Sequence, residues 1–472
     1  MRRGIRYVAI GFATSFILLS FGLVYWQVAK ADSLQNNPAN RRLILMEDRV
    51  KRGGIFDRNG EILAQTKTTD GKKTRVYPKG EIMEPLIGYA TLKYGASGLE
   101  HSLADWLFGI RNSTPAQELE QIFQLPRQGD DVVLTIDSNL QKVAFDALKG
   151  KRGTAVALDP RTGEVLALVS QPSFDPNNLD KNWKEISTVE SSPLLNRALS
   201  KYPPGSTMKV VTSAALLRAG LNTTDLYNCT GSTVINGQRI GEQNDKEHGW
   251  VNFNKALADS CNTYFATFGV RAGSQRFLEA ARGFGFGQKI PFELNVAPST
   301  VANQKALPDA LDINLLAEST FGQGQVMVSP FHMALITAGI ANKGVIMTPH
   351  IVDRVLDPDQ NVVLKTKIQP WLEALTNEEA EKVTSAMITA VNDGTAQPGA
   401  LPDIQVAAKT GSAETGGDVR THGWYIAFAP ADKPQIAVAV LVENGGTGGG
   451  SAAPVAKALI QEALSMKEGD RK

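Results

Sequence analysis

Pro203-Pro204-Gly205-Ser206-Thr207-Met208-Lys209 is the stretch on which the reading of this chain turns. Proline fixes φ and has no N–H to donate, so Pro-Pro-Gly cannot propagate a helix. Residues 206–219 contain no proline and repeat apolar residues at helical spacing. The pattern predicts Ser206 at a helix start, where unpaired N–H groups and the positive dipole end favour developing negative charge. Lys209 follows three residues on, so its side chain shares a face with Ser206. A hydroxyl beside an amine on a rigid turn suits a nucleophile and its base. S-x-x-K alone describes an N-cap serine and a solvated lysine just as well.

Two further patterns decide between these readings. Ser260-Cys261-Asn262 is S-x-N, Lys409-Thr410-Gly411 is K-T-G, and each of the three patterns occurs once, in that order. Together they resemble the transpeptidase domain of penicillin-binding proteins, with Cys261 where the S-D-N form has aspartate. The resemblance implies acyl transfer with Ser206 as nucleophile and a neutral Lys209 accepting its proton. Burial and a second cation, Lys409, would both lower the Lys209 pKa. Ser260 relays a proton to the leaving amine on this reading, and Asn262 holds the substrate amide or orients Lys209. Lys409 and Thr410 take the substrate's terminal carboxylate, and Gly411 lets a substrate strand approach the backbone. The oxyanion is expected to meet the N–H groups of Ser206 and Ser412. No metal or organic cofactor is required.

The chain has 472 residues, enough for two or three domains, and a formal charge of +1. With no clustered basic excess, nucleic acid is not an expected partner. Residues 7–29 carry no charged side chain and would span roughly 34 Å as a helix, enough to cross a bilayer. Arg2, Arg3 and Arg6 precede them, which leaves residues 1–6 in the cytoplasm and the rest outside. Ala29-Lys30-Ala31 resembles a signal-peptidase site, but the apolar run exceeds a signal h-region, so an uncleaved anchor is expected. The only two cysteines, Cys229 and Cys261, either pair or stay free thiols. Two cysteines exclude a four-thiolate zinc site, and the sequence around His248 offers no metal-ligand spacing.

Residues 32–50 read as a juxtamembrane linker at the start of a non-catalytic domain running to 150. Asn59-Gly60 between Ile55-Phe56 and Ile62-Leu63-Ala64 signals a hairpin, in physical terms a surface hairpin with solvated charges. Yet Arg52-Gly53-Gly54-Ile55-Phe56-Asp57-Arg58-Asn59-Gly60 resembles the amino-terminal motif of class B penicillin-binding proteins. That implies an architectural pedestal at 32–150, too short for the glycosyltransferase domain of class A. Alternating apolar residues at 132–136 predict a strand, and 138–149 predict a helix capped by Ser138.

From 151 to 468 the order matches the serine β-lactamase/transpeptidase fold. Strands are expected at 154–158 and 165–169, loop at 171–193, and helices at 254–260, 263–270, 275–282 and 331–341. Further strands fall at 404–409, 423–429 and 435–442, before a last helix opened by Pro454. The fold class is α/β: an anchor helix, a small α+β pedestal, then an antiparallel sheet flanked by helices with an all-α lobe. Gly322-Gln323-Gly324 resembles another landmark of the family, and as a structural turn it carries no site residue here.

The implied activity is a D,D-transpeptidase that cross-links stem peptides ending in D-Ala-D-Ala and is acylated by β-lactams. A D,D-carboxypeptidase, a membrane-tethered β-lactamase and a β-lactam- or muropeptide-binding scaffold are the alternatives. The E-x-x-L-N loop of class A β-lactamases does not occur between Asn262 and Lys409. Class B resemblance also implies a polytopic glycosyltransferase partner.

Overall fold

The computed structural model describes residues 2–30, 50–111, 127–303, 307–414 and 420–469. Nearly all of the linker expected at 32–50 lies outside them. A helix at Arg2–Val24 continues as a π-helical turn at Tyr25–Ala29. Among the described residues, Gly4–Ala29 is the one helix long and apolar enough to cross a membrane, and none of it is buried against the protein. Phe12, Phe16 and Phe21 stand exposed along it, as lipid-facing side chains do.

The larger domain is built on a five-stranded antiparallel sheet, in the order Val165–Gln171, Gly153–Leu158, Ile436–Val442, His422–Ala429, Ala407–Ala413. The four strands from Val165–Gln171 to His422–Ala429 are almost wholly apolar because helices cover both sheet faces. Val156, Leu168, Ile426 and Leu441 share one core with the wholly buried helix Pro330–Ala341. Ala155, Val169, Ala427 and Val440 share another with Leu140, Leu459 and Ile460 from helices Ser138–Ala147 and Ala453–Gly469. Beyond the first face lie Lys209–Arg218, Phe253–Ala258, Asn262–Ala272, Ser274–Gly283, Ile313–Ser319 and Asn377–Asp393, the expected helical lobe.

Two local expectations are corrected. Asp137, not Ser138, caps Ser138–Ala147, accepting from the N–H groups of Asn139 and Leu140. Residues 171–193 hold a helix, Leu179–Thr188. Its Leu179 and Ile186 are buried and Trp183 packs partly against the same small core, an i, i+4, i+7 stripe hidden by the surrounding prolines.

The pedestal contains a six-stranded sheet in the order Val362–Lys365, Val352–Leu356, Asp131–Leu134, Ile55–Phe56, Ile62–Thr69, Lys72–Val76. Two of its strands come from residues 352–365, far along the chain. The Asn59-Gly60 hairpin forms as expected, with Ile55 paired to Ala64. Arg58 and Glu61 are exposed as expected, but Asp57 is not solvated. Asp57 is fully buried; it accepts from the N–H groups of Asn59 and Glu61 at 2.8 Å and of Ser138 at 3.2 Å. Arg52 and Arg75 grip the buried Glu100 at 2.7 and 2.6 Å, and Phe108 stacks under the Arg52 guanidinium. Burial alone would raise the Glu100 pKa, but the two guanidiniums outweigh it and hold the carboxylate below its ordinary range.

Removing the Glu100 charge would take away the buried carboxylate that both guanidiniums contact. Glu100→Gln is therefore expected to destabilise the pedestal by about 3–5 kcal/mol, read by urea unfolding of the full chain. An unfolding midpoint equal to that of the unaltered protein would show that the buried pair is not structural.

Candidate active site

The three motifs converge on one cleft. Ser206 lies in a 3-10 turn, Gly205–Met208, and the α-helix Lys209–Arg218 begins only after it. Position and spacing match the expectation, but the first turn is tighter. Gly205 has φ +53°, and a Cβ there would sit 2.6 Å from the carbonyl oxygen of Ser412. On its other side Gly205 N donates to Gly322 O at 3.0 Å, where a Cβ on Gly322 would come within 2.0 Å of Gly205 O. Trp424 Nε1 donates to Pro203 O at 2.9 Å. The turn is thus clamped between the sheet and Gly322-Gln323-Gly324, which accounts physically for that segment.

K-T-G lies within the edge strand Ala407–Ala413, four residues longer than expected at its C-terminal end. S-x-N joins two helices, Phe253–Ala258 and Asn262–Ala272. Ser260 at the junction has φ +62°, a left-handed conformation that is uncommon without glycine and is held here by surrounding bonds.

Those bonds form the centre of the site. Lys209 Nζ donates to Ser206 Oγ at 3.1 Å, to Asn262 Oδ1 at 2.7 Å, and to Ser260 O and Oγ at 2.5 and 3.3 Å. Lys409 Nζ donates to the same Ser260 Oγ at 2.9 Å and to Thr410 O at 2.8 Å. One hydroxyl therefore bridges two amines, and both lysines are wholly buried. Burial pushes Lys209 down to about 8, with the Glu242 carboxylate acting against it. Burial, then the Lys209 charge, pushes Lys409 well below its ordinary value. Of the two causes expected for Lys209, burial and the Lys409 charge, burial is the largest one at work.

Ser206, Ser260, Asn262, Thr410, Gly411 and Ser412 all line a cleft of about 510 Å³. The structure thus brings together every site residue read from the sequence, with both lysines bonded at its floor. It adds two that sequence reasoning missed. Glu242 accepts from the N–H groups of Asn262 at 2.8 Å and Thr263 at 2.7 Å, fixing the start of the S-x-N helix. Thr395 Oγ1 lies 2.6 Å from Thr410 Oγ1. Neither sits in a patterned stretch, so only the fold reveals it.

Cys229 and Cys261 are free and buried. The sequence around His248 has no metal-ligand spacing, but the fold gathers Cys229, Glu242, His248 and Cys261, whose donor atoms lie within 4.8 Å of one another.

A serine–lysine pair at the edge of an antiparallel sheet, facing a helical lobe, defines an active-serine acyl-transfer fold. The chain belongs to the penicillin-binding protein family: its residues 153–461 match the penicillin binding protein transpeptidase domain. Residues 52–132 match the penicillin binding protein A dimerisation domain. It is 36% identical to the peptidoglycan D,D-transpeptidase PbpA of Mycobacterium tuberculosis, covering 98% of this chain and 99% of that one. Against the peptidoglycan D,D-transpeptidase MrdA of Acinetobacter baumannii it is 32% identical over 82% of this chain and 65% of that one. A solved structure of penicillin-binding protein A from M. tuberculosis, a ceftriaxone acyl-enzyme complex, superposes with a TM-score of 0.82 at 35% identity. It covers 89% of this chain and all (100%) of that one.

The clamp on Gly205 makes a direct test. Gly205→Ala meets both a positive φ and the Ser412 carbonyl, and is expected to cost about 1–3 kcal/mol. Acylation by a fluorescent penicillin should slow because Ser206 moves with the turn; an unchanged rate would show that the clamp does not set its position.

Proposed function

We propose that this protein is a membrane-anchored peptidoglycan D,D-transpeptidase, working through an acyl-enzyme on Ser206. The observation that carries the reading is the 3.1 Å contact between Lys209 Nζ and Ser206 Oγ, at an amine whose pKa burial lowers to about 8. Neutral Lys209 takes the Ser206 proton as Oγ bonds to the carbonyl carbon of the penultimate D-Ala. The N–H groups of Ser206 and Ser412 meet the developing oxyanion. Cleavage of the C–N bond releases the terminal D-Ala, whose nitrogen takes a proton through Ser260, itself reprotonated from the lysines on either side. An acceptor amine then attacks the ester carbonyl; Lys209 takes its proton and passes it to Ser206 Oγ as the ester C–O bond breaks, which makes the cross-link and restores the Ser206 hydroxyl and a neutral Lys209.

Lys409 and Thr410 suit the substrate's terminal carboxylate, since an anion there restores the charge that burial takes from Lys409. Asn262 bonds Lys209 and holds its own amide N–H on Gly241 O at 3.0 Å, which supports an orienting role. Gly411 leaves room for an extended substrate beside the edge strand. β-Lactams enter by the same acylation.

The arginines before the apolar helix favour a cytoplasmic amino terminus (1–6), an anchor at 7–29 and, outside the membrane, a pedestal at 32–150 that the strands of 352–365 complete, with a transpeptidase domain in the rest of 151–468. The pedestal and anchor offer surfaces for a polytopic glycosyltransferase. Cross-linking is favoured over hydrolysis by the absence of an E-x-x-L-N loop between Asn262 and Lys409.

Purified full-length protein should take one fluorescent penicillin, and Ser206→Ala should take none. Labelling that survives the substitution would end the proposal. With a stem-peptide donor and an amine acceptor, mass spectrometry should find cross-linked dimer rather than free tetrapeptide. The pH dependence follows from Lys209: the active form is the deprotonated amine, so acylation should rise with pH and level off above about 8. A rate that is flat or falls from pH 6.5 to 9 would exclude Lys209 as the base.

A further inference from the structure

A second cavity, of about 620 Å³ against about 510 Å³ for the catalytic cleft, lies across the junction of the two domains. One wall is drawn from pedestal residues 84–88 and 97–102, the other from residues 193–199 and 289–296 of the larger domain. Close backbone contacts preform the pedestal wall. A Cβ on Gly88 would lie 2.3 Å from Ser97 O, and one on Gly98 would lie 2.8 Å from Ile87 O. Asn196 Nδ2 donates across the junction to Pro85 O at 2.6 Å, which ties the walls together. A cavity of this size is that of a site for a small organic molecule.

Glu84 lines this cavity and is only 7% exposed. Among the described residues no hydrogen bond or ion pair meets its carboxyl. Burial, with nothing to oppose it, pushes its pKa well above the ordinary carboxylate value. Buried carboxylates elsewhere in the chain are provided for: Asp57 by backbone N–H groups, Glu100 by Arg52 and Arg75, Glu443 by Arg197 and Tyr202. A buried carboxyl without a partner costs stability, and this one faces open volume. From the other wall Glu293 accepts from the N–H groups of Ile351 and Val352, both at 3.1 Å, and burial still raises its pKa. Leu194 and Leu195, 42% and 41% exposed, line the same cavity with Leu199 and Phe292 and add an apolar surface.

We propose that the cavity binds a small molecule bearing a primary ammonium on an apolar stem, with the ammonium seated on Glu84. A cation there favours the ionised carboxylate that burial opposes, and its N–H groups meet acceptor oxygens that no described protein group meets. A neutral ligand gains only an uncharged hydrogen bond, and an anion meets the carboxyls of Glu84 and Glu293 as like charges. The remaining titratable groups of the lining are His101 and Lys289. Lys289 is exposed, so solvent screens its charge from the cavity. An occupant contacts both domains at once and therefore stabilises the junction by mass action. Ser206 takes no part in this site.

The test uses full-length protein in detergent micelles near neutral pH, with benzylamine as the probe and benzyl alcohol as its uncharged counterpart. Titration calorimetry should find the amine bound about tenfold more tightly than the alcohol, or better, the worth of one charge-assisted hydrogen bond. Equal affinities would overturn the proposal. Ser206→Ala should bind benzylamine as the unaltered protein does; loss of binding there would place the amine in the catalytic cleft and overturn the assignment. Glu84→Gln should lose the preference for amine over alcohol while the unliganded protein melts no lower than before. A preference that survives Glu84→Gln would overturn the proposal, and a lowered melting temperature alongside it would make Glu84 a structural residue. If that variant fails to fold, crystals of the unaltered protein soaked in benzylamine decide. Nitrogen within hydrogen-bond distance of Glu84 supports the site, and a cavity without the amine overturns it. Penicillin labelling of Ser206 is read separately, so failure here is distinct from failure of the transpeptidase reading.

Discussion

The constraint on which this structure depends is the burial of two lysine amines around a single serine hydroxyl. Each ammonium taken from water costs several kcal/mol unless it is paired or loses its proton. Among the described residues Lys209 has no direct anionic partner; its amine bonds the oxygens of Ser206, Ser260 and Asn262. Hydrogen bonds to neutral oxygens offset only part of the lost hydration, so the balance moves toward the free amine. Much of the surrounding architecture holds that arrangement. The edge strand fixes Lys409, the left-handed Ser260 aims its hydroxyl between the amines, and Glu242 ties down the helix that carries Asn262. Reactivity here arises from stability forgone at one point and recovered throughout the two cores.

The site was legible because its chemistry is concentrated in three short motifs whose residue types cannot be exchanged without losing a function. The sheet was legible because strands buried on both faces are apolar without interruption, as in Ile436–Val442. What stayed hidden has a common physical character. Glu242, Thr395 and His248 act through partners distant in sequence, and no local pattern carries such information. Leu179–Thr188 was masked by the prolines around it, whose local preference for loop gave way to a short buried stripe. Asn377–Asp393 does carry a local signal, the capping box of Thr376 and Glu379. Distance along the chain also hid the charge network of the pedestal, since Arg52, Arg75 and Glu100 become a unit only when three segments meet.

The pedestal shows how a stretch without catalytic chemistry can still be tightly constrained. Asp57 satisfies its own turn and also the first N–H of the helix Ser138–Ala147, which packs on the transpeptidase sheet. One carboxylate thus joins the hairpin to the catalytic domain. Thr135 does the same from the adjoining strand, donating to Val165 O at 2.7 Å. The two domains are welded by buried polar bonds with defined geometry, which resist sliding better than an apolar contact would.

The strands Val352–Leu356 and Val362–Lys365, which complete the pedestal sheet, lie in the chain between S-x-N and K-T-G. A chain emerging amino terminus first presents Asp131–Leu134 with one edge bare until more than two hundred further residues have appeared. Through that interval the exposed backbone is a template for any extended segment. Maturation therefore cannot proceed as pedestal first and enzyme second. Both must close together, late in synthesis, and a truncation before residue 352 would leave neither half with a finished sheet.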